Sequence, residues 1–158
     1  MKNILVLMAL LLSAMLAGCM GYVPGQQSYW DAQVREMCEK DGGVTVYEKV
    51  SISRSDIDLL GRVGGKIGIP AKELASPNAP VYEELKISYL KQGNPQITRS
   101  EMTIVRRLDQ LVVARAIIYA RSGGDIPSPS HPSSFSCPDM KVIRSDLQQL
   151  FVVEGSLK

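Results

Sequence analysis

The sequence predicts an α+β domain: an N-terminal helix packed on a four-stranded, mainly antiparallel sheet, with a short C-terminal helix. Three observations carry this. Apolar residues recur at helical spacing between positions 30 and 38, four later segments alternate apolar and polar residues, and the last three of those segments are joined by connections of hairpin length.

The helix is expected over residues 28–41. Ser28 with Asp31 three positions on reads as a capping-box variant. Trp30, Val34, Met37 and Cys38 share one helical face, and Gly42-Gly43 ends the helix as a C-terminal cap would. In VTVYEKVSI (44–52), Val44, Val46, Val50 and Ile52 alternate with polar residues as in a half-buried strand. Glu48 falls on the apolar side, which points to a bulge or an exposed strand end. Residues 54–80 carry Gly61, Gly64, Gly65, Gly68, Pro70, Pro77 and Pro80 and read as a surface excursion, with one or two helical turns in SDIDLLG.

Regularity returns with VYEELKISYLK (81–91), ITRSEMTIVRR (97–107) and LVVARAIIYAR (111–121), an antiparallel meander linked through QGNPQ and LDQ. In its last strand Val112, Ala114, Ala116, Ile118 and Ala120 share one face, small enough for the 28–41 helix to lie close. Val113, Arg115, Ile117, Tyr119 and Arg121 share the other. SGGDIPSPSHPSSFSCP (122–138) has the composition of a linker. KVIRSDLQQLFVV (141–153) suits an amphipathic helix through Val142 or Ile143, Leu147, Leu150 and Phe151.

The first nineteen residues have the layout of a secretion signal: Lys2, an apolar run from Ile4 to Leu16, and small residues before Cys19. The run is short for a membrane span, since a bilayer core of roughly 30 Å needs about 20 apolar residues. Leu16-Ala17-Gly18-Cys19 resembles the lipobox of bacterial lipoproteins. The resemblance implies diacylglycerol on the Cys19 thiol, cleavage after residue 18, and anchoring in the outer membrane facing the periplasm, because Met20 stands where an aspartate would mark inner-membrane retention. The expected organisation is then a signal peptide (1–18), a lipidated tether (19–28) and one domain (29–158). With Cys19 consumed by lipid, Cys38 and Cys137 remain in an oxidising compartment and are expected to form a disulfide; two buried free thiols are the alternative.

The blocks MCEKDGGVTVYEKV (37–50) and RSGGDIPSPSHPSSFSCP (121–138) resemble a family of small, functionally uncharacterised proteobacterial lipoproteins. Cys38, Asp41, Gly42, Gly43, Val46, Tyr47, Glu48 and residues 131–138 carry the likeness. It implies the same address and fold and brings no catalytic residues.

Composition is that of a globular chain, 45% apolar and 22% charged, and a net charge of +2 gives no case for nucleic acid. No enzyme is expected. His131 is the only histidine; with Asp125 and nearby serines it offers a hydrolase alternative, but G-x-S-x-G is absent. One histidine and two paired cysteines are too few for a zinc site, the glycine pairs fit no phosphate-binding pattern, and no metal or cofactor is expected. The candidate binding face gathers Tyr47, Lys49, Lys86, Arg99, Arg115, Tyr119 and Arg121, cations and tyrosines able to take an envelope protein or an anionic glycan. The function expected is non-catalytic binding or envelope integrity, with an inhibitor or exclusion factor against a lysozyme-like enzyme or a phage component as the alternative.

Overall fold

A computed structural model describes residues 26–125 and 132–154. Its elements in chain order are helix α1 (Gln26–Asp41), strands β1 (Gly43–Val46) and β2 (Val50–Ile52), helix α2 (Arg54–Leu60), the small hairpin β3 (Arg62–Val63) and β4 (Lys66–Ile67), strands β5 (Val81–Lys91), β6 (Gln96–Arg106), β7 (Val112–Ser122) and β8 (Ser134–Cys137), helix α3 (Met140–Asp146), a 3-10 turn (Leu147–Leu150) and strand β9 (Phe151–Val153). The fold is α+β, and its main sheet is antiparallel in the order β1-β7-β6-β5. β1 pairs the first half of β7 and β8 its second half, so the two share one edge.

The meander forms as its alternation and short connections dictate. Several expectations change. The 44–52 segment is two strands: β1 joins the main sheet, while β2 pairs β9 in parallel in a separate two-stranded sheet. Glu48 lies at the break, exposed, and its carboxylate meets Arg106 at 2.5 Å. Residues 134–137 belong to the sheet, because Phe135 and Cys137 alternate with serines and can bury one face. The C-terminal helix stops at Asp146, and Phe151–Val153 is extended. α1 starts at Gln26, inside the stretch expected as tether. Asp31 serves no cap and instead pairs with Arg121. In the 54–80 excursion, Ser53 and Asp56 form a reciprocal capping box that starts α2.

The largest correction concerns which face of the sheet receives α1. The alanine face of β7 is covered by the C-terminal segment: Ile143, Leu147 and Leu150 join Ala114, Ala116, Ile104, Val81, Ile52 and Ile57 in the main core. α1 packs on the opposite face, where Val34 and Cys38 meet Ile97, Ile117 and Tyr119, with Trp30, Met37, Phe135 and Cys137 at the margin. The small side chains do admit a closely packed helical segment, as their size predicts, but it is the 3-10 turn Leu147–Leu150 that lies on β7, with α3 against β1. Full burial of a side chain such as Ile104 contributes about 1.5–3 kcal/mol, so each layer holds its half of the sheet firmly.

Candidate functional site

Cys38, on the buried side of α1, and Cys137, at the end of β8, form a disulfide with Cα atoms 5.8 Å apart. It ties α1 to β8, the strand on the second half of β7. Gly42 makes this possible: its N–H donates to Cys38 O at 2.7 Å, and a Cβ there would lie 2.8 Å from Cys38 Sγ.

The anticipated cation face divides in two. Arg121 is buried, 2% exposed, with Nε 2.6 Å from Asp31 Oδ1 and Nη1 donating to the carbonyls of Gly123 and Ser133. Tyr119 is also buried, its hydroxyl donating to Asp41 Oδ1 at 2.7 Å and accepting from Arg99 Nε. These two residues therefore belong to the α1 interface and do not present themselves to a ligand. The parity expected of β7 holds from Ala114 to Arg121, but an irregularity opposite Ile104 and Val105 puts Val113 in the main core with the alanines, and α1 covers the far end of the opposite face.

The open part of the face is a neutralised ion network. Arg99 reaches Glu101 at 2.6 Å and Asp41 at 3.3 Å, and Arg115 Nε lies 2.8 Å from Glu101 Oε1, although not aligned as a hydrogen bond. The guanidinium of Arg115, and then that of Arg99, holds the Glu101 carboxyl below its ordinary value, while burial, followed by the bond to Asp41, raises the Tyr119 phenol. Tyr47 stands exposed beside Arg115. Of the five cations expected here, Lys49 and Lys86 alone have no carboxylate within ion-pair distance among the described residues. An anion approaching Arg99 or Arg115 would have to displace a carboxylate already in place.

The other face offers more. α3 and the 3-10 turn cover its β1 side, leaving a cleft of about 440 Å³ toward β5 whose walls include Leu85, Met102, Ile118, Ile67, Ile143 and Met140. Gln148 pins the β4 wall by bonding both the N–H and the carbonyl of Ile67, at 2.9 and 3.1 Å. One carboxylate enters this apolar hollow: Glu83, whose carboxyl is raised by burial and drawn partly back by the Arg144 charge. The shelf continues along β5, where Leu85, Ile87 and Tyr89 turn their side chains to the cleft side and remain 56, 50 and 56% exposed. Alternation in YEELKISYLK carries this row. Its exposure depends on what covers the sheet, which alternation along one strand does not state.

His131 and Cys19 lie outside the described residues. Asp125, the carboxylate nearest His131 in sequence, accepts bonds from Ser133 N–H and Gln27 and so ties residues 125 and 133 to α1. Among the described residues no group of three His, Cys, Asp or Glu side chains could hold a metal ion. No protein-family model, curated protein or solved structure matches this chain.

Proposed function

We propose that this chain is an outer-membrane-anchored lipoprotein with a non-catalytic binding role in the cell envelope, and that it takes its partner, an envelope protein, on the cleft face of the sheet. The observation that carries the binding reading is the exposed apolar row Leu85, Ile87 and Tyr89 beside the 440 Å³ cleft. Exposed apolar surface that adjoins a preformed hollow is the usual mark of an interaction site. The Leu16-Ala17-Gly18-Cys19 pattern supports the address, and the Cys38–Cys137 disulfide suits an oxidising compartment.

Cys19 stands seven positions before Gln26, a reach of at most about 25 Å. Gln26 bonds the Asn94 carbonyl in the β5–β6 turn, so the tether would leave from that end of the sheet and hold it toward the bilayer. Acylation on Cys19 supplies the anchoring energy, about 0.8 kcal/mol per buried methylene.

The test has two arms. A fatty-acid probe should label the parent in cells and not Cys19→Ser; retained label in that variant would remove the anchor. A photo-crosslinking residue placed at Leu85 should give a defined adduct in cells, while one at Lys49 or Arg115 should give none. The reverse pattern would return the site to the cation face.

A further inference from the structure

The geometry points to strand addition: the outer edge of β5 takes a short extended segment of another polypeptide, apolar on its cleft side and acidic opposite Lys86. This deepens the reading of the cleft face as the binding surface and rests on it.

β5 ends the main sheet, and part of its outer edge is already filled by the chain itself. Glu83 N–H donates to Pro70 O and Glu83 O accepts from Lys72 N–H, both at 2.9 Å, in a parallel bridge centred on Ala71. Backbone direction alternates along a strand, so Leu85, Ile87 and Tyr89 aim their N–H and C=O groups the same way as Glu83. Among the described residues none of these outward groups has a partner. The free lane starts beyond Glu83 and ends at the irregularity between Tyr89 and Lys91, room for a strand of about five residues.

The three residues that offer free backbone are also the three whose side chains form the exposed apolar shelf. An added strand would therefore gain main-chain bonds and apolar contact from one row, which is how edge recognition combines affinity with side-chain selection. Charge sets the other side. Glu84 is taken by Lys72 at 2.6 Å, and Glu101, opposite Lys86 on β6, is held by Arg99 and Arg115. Among the described residues Lys86 is left as the free charge on the lane, and it calls for a carboxylate. A second copy of the chain fits less well: an antiparallel β5 centred on Ile87 would drive its 90–91 end into the space already held by Pro70–Lys72. The closed end of the lane selects a short strand.

The test uses the mature lipidated chain in nanodiscs and a fluorescein-labelled, amidated Val-Glu-Val-Glu-Val peptide. Anisotropy should show saturable binding, and amide exchange at Leu85, Ile87 and Tyr89 should slow. Ile87→Pro removes an outward N–H that β6 does not use, a site where edge strands tolerate proline, and should weaken binding at least about tenfold. Val-Lys-Val-Lys-Val should bind more weakly to the parent, and Lys86→Glu should reverse the preference. If Ile87→Pro does not fold, the Val-Glu peptide N-methylated at alternate residues takes its place and should bind no better than about a tenth as tightly. Absence of saturable binding at millimolar peptide, or binding indifferent to the proline and to N-methylation, would overturn strand addition. So would self-association of the parent that Ile87→Pro abolishes, which would assign the edge to a second copy. Adducts from Leu85 in cells alongside a failed peptide would reject strand addition and leave the cleft face as the binding surface; loss of both would reject each.

Discussion

Arg121 supplies the most demanding test of the fold. Its guanidinium is 2% exposed beneath α1 and bonds Asp31, two carbonyls and the Ser133 hydroxyl. Truncation in Arg121→Ala would leave the Asp31 carboxylate, 21% exposed, without its counter-charge, and would take the guanidinium from the Gly123 carbonyl, while the Ser133 carbonyl keeps its bond from Gly123 N–H. Breaking a buried pair costs about 3–5 kcal/mol, and the partial exposure of Asp31 argues for the lower end, about 3 kcal/mol. For a domain of this size each kcal/mol moves the melting temperature by about 3–4 °C, so a fall of about 10 °C is expected in the disulfide-bonded protein. Thermal denaturation followed by far-UV circular dichroism at pH 7 reads it, with Arg115→Ala as the half-exposed comparator, expected within about 1 kcal/mol of the parent. The double change Arg121→Met with Asp31→Leu should recover most of the loss, because an apolar pair of similar volume can replace a buried ion pair. A melting temperature for Arg121→Ala no lower than that of Arg115→Ala would refute the buried-pair reasoning and, with it, the docking of α1 on this face.

Other outcomes follow from the same structure. Non-reducing mass spectrometry should recover the Cys38–Cys137 crosslinked peptide; Cys38→Ala and Cys137→Ala should destabilise equally, by up to about 4–5 kcal/mol for a loop of this length, with the double variant little worse. Glu83→Gln should stabilise the protein at pH 7 and not at pH 3. Burial raises the folded carboxyl above its unfolded value, so stability is full below the unfolded pKa and is lost as pH rises through the folded one; urea titrations at the two pH values that show equal stability for parent and variant would contradict this. Gly42→Ala should lower the melting temperature and make the disulfide easier to reduce, since its Cβ would meet the Cys38 carbonyl at 2.7 Å and Sγ at 2.8 Å; an unchanged reduction midpoint in a dithiothreitol titration would contradict the close approach.

Local pattern by itself determined much of this protein. Alternation and short connections marked β5, β6 and β7, the stripe from Trp30 to Cys38 marked the buried side of α1, and cysteine arithmetic joined Cys38 to Cys137. These features depend on residues close in sequence or on parity. Short segments were harder to read. The four residues Ser134–Cys137 alternate too, but their glycine, proline and serine neighbours hid a strand that forms only because β7 offers an edge beyond β1. Only the tertiary structure decided the fate of the two sheet faces. A period of two states that Ala114 and Ala116 share one side and that Tyr119 and Arg121 share the other. It does not state which helix each side receives, because that depends on whether Asp31 can reach Arg121 and on whether Ile143 and Leu147 can reach the alanines, contacts between residues far apart in the chain. That choice buried two residues of the anticipated binding face, brought Asp41 of α1 against Arg99, and left Leu85, Ile87 and Tyr89 exposed on an edge that sequence alone describes as an ordinary half-buried strand.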